Sequence, residues 1–98
     1  MEVSKLKLPK FEGEKAGWSE WKDDFEACAH VAGVGDVLRL DAEEPSGEAA
    51  RAVWVKASQS VYSMLILCTK GTPRAIVKKH LADKNGAAAW RALVKKYE

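Results

Sequence analysis

Residues 11–27 read FEGEKAGWSEWKDDFEA, and the fold turns on whether Trp18 and Trp21 face a ligand or a core. Apolar side chains recur at 18, 21, 25, 28, 29 and 32. At about 100° per residue they occupy an arc about 100° wide, as an amphipathic helix requires. Glu20, Asp23, Asp24 and His30 fall on the other side. The pattern therefore predicts a helix from Trp18 with both tryptophans turned inward, and Phe11 folding back through turns at Gly13 and Gly17 onto the same packed face.

Working outward, MEVSKLKLPKFEGEKAG has no helical period and carries Pro9, Gly13 and Gly17. Residues 1–17 are expected to form an extended N-terminal arm and lead-in loop, and 18–98 a helical domain. Gly33 and Gly35 stop the first helix, and a short turn over 35–40 precedes the acidic loop DAEEPSGE, the segment expected to move most. A long helix then opens at Ser46 or Gly47 and runs to about Thr69. Ala50, Val53, Trp54, Ala57, Val61, Met64, Leu65 and Cys68 make one stripe, with Val55, Tyr62 and Ile66 on another side. A helix apolar on two sides is packed on two sides. Gly71 closes it; Thr72 and Pro73 read as the N-cap and first turn of the next helix, with Ile76, Val77, His80 and Leu81 inward and Asn85-Gly86 as its stop. In AAAWRALVKKYE, Ala89, Trp90, Leu93, Val94 and Tyr97 align. The expected fold is all-α, a compact bundle of four to five helices around a long central helix.

Composition bounds the function. Apolar residues make up 47% and charged residues 31% of 98 residues, which describes one globular domain with a core of its own. The apolar run Met64–Cys68 is far short of the roughly 20 residues of a membrane span, and no signal-peptide pattern is present. The chain is read as cytoplasmic, in a reducing compartment, with no membrane partner. Cys28 and Cys68 are forty residues apart, lack zinc-ligand spacing, and are expected in the core.

Chemistry has little to work with. His30 lies toward a polar face and His80 in an apolar arc; no hydrolase, Walker or dinucleotide motif is present, and the pairs Asp23-Asp24 and Glu43-Glu44 diverge by about 100° on a helix. No enzyme activity, cofactor, metal or small-molecule substrate is expected. Charge, in contrast, is segregated. Residues 1–69 hold eight Lys/Arg against twelve Asp/Glu, and residues 70–98 hold eight against two. Lys78, Lys79, Arg91, Lys95 and Lys96 are the candidate contacts for nucleic acid or an acidic partner.

In order, the landmarks are Phe11-x-Gly13, Trp18-x-x-Trp21, Trp54-x-x-Ala57 with Val61-Tyr62 and Leu65, and Trp90-x-x-Leu93-x-x-x-Tyr97. This order resembles the capsid region of the Gag polyprotein of Ty1/copia-type LTR retrotransposons, and the likeness spans nearly the whole chain. It implies an N-terminal capsid domain, from an element or a domesticated copy, that self-assembles into a virus-like shell, with RNA packaged through regions downstream. The resemblance makes Phe11, Gly13, Trp18, Trp21, Trp54, Trp90, Leu93 and Tyr97 the signature positions. Two departures stand out: four residues rather than about two separate Gly13 from Trp18, and the zinc knuckle that commonly follows is missing. The end at Glu98 in helical stride suggests a domain cut from a longer polyprotein. Two alternatives stand beside this reading, a helical nucleic-acid-binding domain using the basic C-terminal end and a partner-binding adaptor that builds no shell.

Overall fold

The computed structural model describes residues 10–98, and the first nine residues of the expected arm over 1–17 lie outside them. Four α-helices follow in order: α1 Trp18–Val31, α2 Glu48–Cys68, α3 Gly71–Lys78 and α4 Gly86–Tyr97, with 3-10 turns at Lys15–Gly17 and Gly35–Leu38. The fold is all-α, with α2 as its long central helix. The most extensive helix contacts are α2 with α4 and α3 with α4.

Helix α1 begins where the period predicts, and its buried residues are Trp18, Trp21, Phe25 and Ala29. Its end is a Schellman motif. Gly33 takes φ +80, its N–H donates to the His30 carbonyl, and the Val34 N–H donates to the Ala29 carbonyl. The reversal carries the chain into the 3-10 turn, which buries Val37 and Leu38.

The end of α2 is closed by the N-terminal arm. The last carbonyls of a helix have no partner within it. Here Cys68 O accepts from the Phe11 N–H at 2.8 Å, Leu67 O from Lys10 Nζ at 2.7 Å, and Leu65 O from the Thr69 hydroxyl at 2.7 Å. Lys70 N–H returns a bond to Phe11 O at 3.0 Å, making a parallel bridge between Phe11 and Thr69. The Phe11 ring thereby reaches the interior. Its centroid is 5.1 Å from Trp21, 5.5 Å from Trp18 and 4.9 Å from Tyr97, while Trp90 lies within 6.0 Å of Trp18, Trp21 and Phe25. Such pairs contribute about 0.5–1.5 kcal/mol each beyond the area they bury. The Trp18 indole N–H, buried in this cluster, finds no acceptor among the described residues.

The start of α4 is held by α2. Asn85 is its N-cap, with Oδ1 accepting from the Ala88 N–H at 3.0 Å; the buried Ser58 hydroxyl accepts from the Ala87 N–H at 3.2 Å and donates to Asn85 Oδ1 at 3.3 Å. Gly86 lets the two backbones meet. A Cβ there would sit 2.6 Å from Tyr62 N and 2.8 Å from Val61 Cβ, with the Ser58 carbonyl nearer still.

Three expectations need correction. Ala50 and Val53 belong to no core stripe: Val53 is 71% exposed and Val55 also faces solvent, because α4 begins opposite Ser58 and the first turns of α2 run past it. Leu81 is 57% exposed, because α3 stops at Lys78 and the turns over 79–84 lose the helical phase. Thr72 caps nothing. Lys70 occupies the N-cap of α3 without a side-chain bond, Gly71 turns the chain at φ +63, and Pro73 is buried beside Gly13.

Two substitutions test this packing by denaturant unfolding. Trp90→Ala is expected to cost about 3–5 kcal/mol through the cavity it leaves. Gly86→Ala, which elsewhere in a helix would be favourable, is expected to destabilise by about 1–3 kcal/mol because its methyl must displace backbone. An unchanged midpoint for Gly86→Ala would mean that α2 and α4 are not in this contact.

Candidate functional site

Basic residues of the C-terminal third line two different grooves. Lys79, Lys95 and Lys96 come together with His80 around a shallow groove between the end of α3 and α4, of about 460 Å³, floored by Ile76 and Ala92. Helical phase explains the grouping. Trp90, Leu93 and Tyr97 face inward, and Ala92, Lys95 and Lys96 occupy the reverse of α4. Lys78 is exposed but does not line this groove.

Arg91 lies elsewhere. Its guanidinium donates to the Ala42 carbonyl, tying α4 to the loop over residues 41–47. It lines a second groove, of about 380 Å³, with Arg51, Trp54, Lys84 and the capped start of α4. Arg51 also donates to Glu44 at 3.3 Å, so this acidic loop is laced to two arginines. Trp54 is half-buried in the wall of that groove rather than in the aromatic cluster.

The other signature positions converge. Phe11, Trp18, Trp21, Trp90 and Tyr97 are linked ring to ring, and Leu93 is fully buried. Gly13 takes φ +108, and a Cβ there would be 3.3 Å from Pro73 Cδ and 3.4 Å from the Tyr97 hydroxyl. Between Gly13 and Trp18, Lys15–Gly17 winds into a 3-10 turn leading into α1. Ser58 and Gly86 position α4, and sequence reading missed both. A serine in a long helix does not show what it bonds across an interface, and Asn85-Gly86, expected as the stop of the third helix, instead caps and starts α4, α3 having ended at Lys78.

Acidic groups collect on the outer side of α1. Glu20, Asp23 and Asp24 are exposed, and none takes part in an ion pair among the described residues. Lys22, on another side of α1, pairs with Glu98 at 2.7 Å and joins α1 to the end of α4. That bond raises the Lys22 pKa, against a smaller opposing effect of burial, with Glu98, Glu26 and Asp23 charges adding to the rise. Burial pushes the Cys68 thiol up to about 11, and burial raises the Tyr97 phenol too. No group of three or more metal-ligating side chains occurs among the described residues, and none of their helices is long and apolar enough to cross a membrane. The groove between α3 and α4 is suited to binding carboxylates or phosphates through ammonium groups, with an apolar floor for a side chain between them.

Comparison with models of protein families, with curated protein sequences and with solved structures gave no match.

The three shifted groups act in one direction. Each holds its proton more tightly folded than unfolded, so its contribution to stability is complete below the unfolded pKa and is lost as pH rises through the folded one. For Cys68 that window runs from 9.0 to about 11. Denaturant midpoints are expected to fall over this range, and less steeply in Cys68→Ala than in the parent. At pH 8, half-buried Cys28 should react with a thiol reagent well before Cys68, which should require unfolding; equal rates would place Cys68 outside the core.

Proposed function

We propose that this chain is a structural, self-associating domain of the kind formed by the N-terminal part of a copia-type Gag capsid. In that role copies pack into a shell around RNA in the cytoplasm, with RNA held by regions beyond this chain and no enzyme activity. One observation carries the reading. The residues that bear the resemblance, Phe11, Gly13, Trp18, Trp21, Trp90, Leu93 and Tyr97, are also those that lock arm, α1 and α4 into one body. A motif whose members hold one core together describes a fold's frame, and a frame of this kind suits assembly. Assembly from weak repeated contacts loses least when each copy is already rigid.

A second reading rests on the lysines gathered between α3 and α4, which suit a phosphate backbone as they suit carboxylates. The two differ in what the protein binds. Sedimentation of the chain over a wide concentration range, with electron microscopy of the products, is expected to show concentration-dependent association without nucleic acid. Titration with single-stranded RNA is expected to show weak affinity. A chain that stays monomeric and binds RNA tightly, with a log K against log salt slope of about −2 for three lysine contacts, would replace the assembly reading with the nucleic-acid one.

A further inference from the structure

We infer that the groove between α3 and α4 receives the outer ridge of α1 from a second copy of this chain, so that copies join head to tail. The inference rests on the self-association proposed above and names its two surfaces.

The two surfaces match in charge. Lys79, Lys95 and Lys96 rim the groove, and none is engaged in an ion pair among the described residues. Glu20, Asp23 and Asp24 are exposed on α1, and none is engaged in an ion pair among the described residues. They also match in form. Glu20, Asp24, Ala27 and Val31 follow one another at spacings of three or four along the exposed side of α1, and Asp23 flanks them. This makes a helical ridge with acids at one end and small apolar groups at the other. The groove has lysines on its rim and Ile76 and Ala92 on its floor. A helix laid in a groove between two others buries its ridge in this way.

Placement within one copy rules out reciprocal pairing. Helices α1 and α4 meet through Trp18, Trp21, Phe25, Trp90 and Tyr97, and the charged side of each is the reverse of that contact. Ridge and groove therefore look away from each other across the aromatic cluster. A two-fold dimer uses one patch on both copies; two different patches on opposite sides give a heterologous contact, which closes into a ring or extends.

Charge also sets the conditions. Exposed ion pairs are individually weak and are screened within about 3 Å at 1 M salt, against about 10 Å at 0.1 M, so the contact should loosen as salt rises.

The test uses two sets of neutralising substitutions at exposed positions, which leave the core untouched. One replaces Lys79→Gln, Lys95→Gln and Lys96→Gln; the other replaces Glu20→Gln, Asp23→Asn and Asp24→Asn. Each variant alone is expected to show association weakened by at least about tenfold in sedimentation at low salt, while still unfolding in one cooperative transition, lowered by no more than the lost helix-dipole contacts require. Mixed together, they are expected to form a 1:1 complex that grows no further, because one intact ridge and one intact groove remain. Association of either variant at parental strength overturns the inference while leaving self-association itself standing. So does a groove variant that loses RNA affinity but associates as before, which would assign the groove to nucleic acid. A parent that is monomeric throughout overturns both the inference and the reading beneath it.

Discussion

The structure depends on how the last carbonyls of α2 are satisfied. A helix that ends inside a protein leaves up to four acceptors without partners, each costly if buried unpaired. Glycine-led reversal solves this at the end of α1, but α2 runs straight into two extended residues, Thr69 and Lys70. Its acceptors are met from far away in sequence, by the Phe11 N–H and the Lys10 ammonium, with the Thr69 hydroxyl folding back on Leu65. The ammonium also lies where the helix dipole favours a cation. Once these bonds form, the Phe11 ring has one place to go, and Trp18, Trp21 and Tyr97 pack around it. Gly13 is then required for backbone reasons, because the chain must turn at φ +108 past Pro73 and the Tyr97 hydroxyl.

The same logic fixes α4 from both ends. At its start, Ser58 and Asn85 occupy the free N–H groups of Ala87 and Ala88, and Gly86 lets the helix sit against the backbone of α2. Further along, Trp90 and Tyr97 enter the aromatic cluster, and Glu98 at the C-cap meets Lys22. With both ends anchored, the outward side of α4 has little freedom. Lys95 and Lys96 are therefore presented from a fixed backbone, with only their own side-chain rotamers to order on contact.

Helical period made α1, the second half of α2 and α4 legible, since each carries large apolar residues at spacings that only one phase explains. The sequence alone places Trp18, Trp21 and Phe25 inside. Period says which side of a helix is apolar, but not how far its partner extends. That is why Val53 read as core and stands in solvent, and why Leu81 did so beyond the last turn of α3. The groove was half legible: its lysines could be named, but that Lys79 meets Lys95 and Lys96 while Arg91 lines a different groove depends on how α3 packs on α4. Ser58 was invisible because its role is across an interface. The wheel of α2 places it toward the core, where an unpaired hydroxyl would be a liability, and only the start of α4 supplies its partners.

Helix dipoles alone explain part of the charge segregation, and the size of that part matters. Glu20 lies in the first turn of α1, Lys95 and Lys96 in the last turn of α4, and Lys79 at the C-cap of α3, all positions where the dipole favours their sign. Two helix ends at about half a negative charge each offset roughly one of the three groove lysines, so the groove stays positive. On α1 the account fails sooner. Asp23 and Asp24 lie beyond the first turn, where the dipole has faded, and Glu20 stands three and four residues before them, the spacings at which like charges on a helix repel. Within one copy Asp23 gains only from the charge of Lys22, itself bonded to Glu98, and neither aspartate has an ion-pair partner among the described residues. Dipole and spacing give no further reason for the two carboxylates. A contact that supplies ammonium groups gives one, and under the proposed function such groups stand on the far side of the next copy.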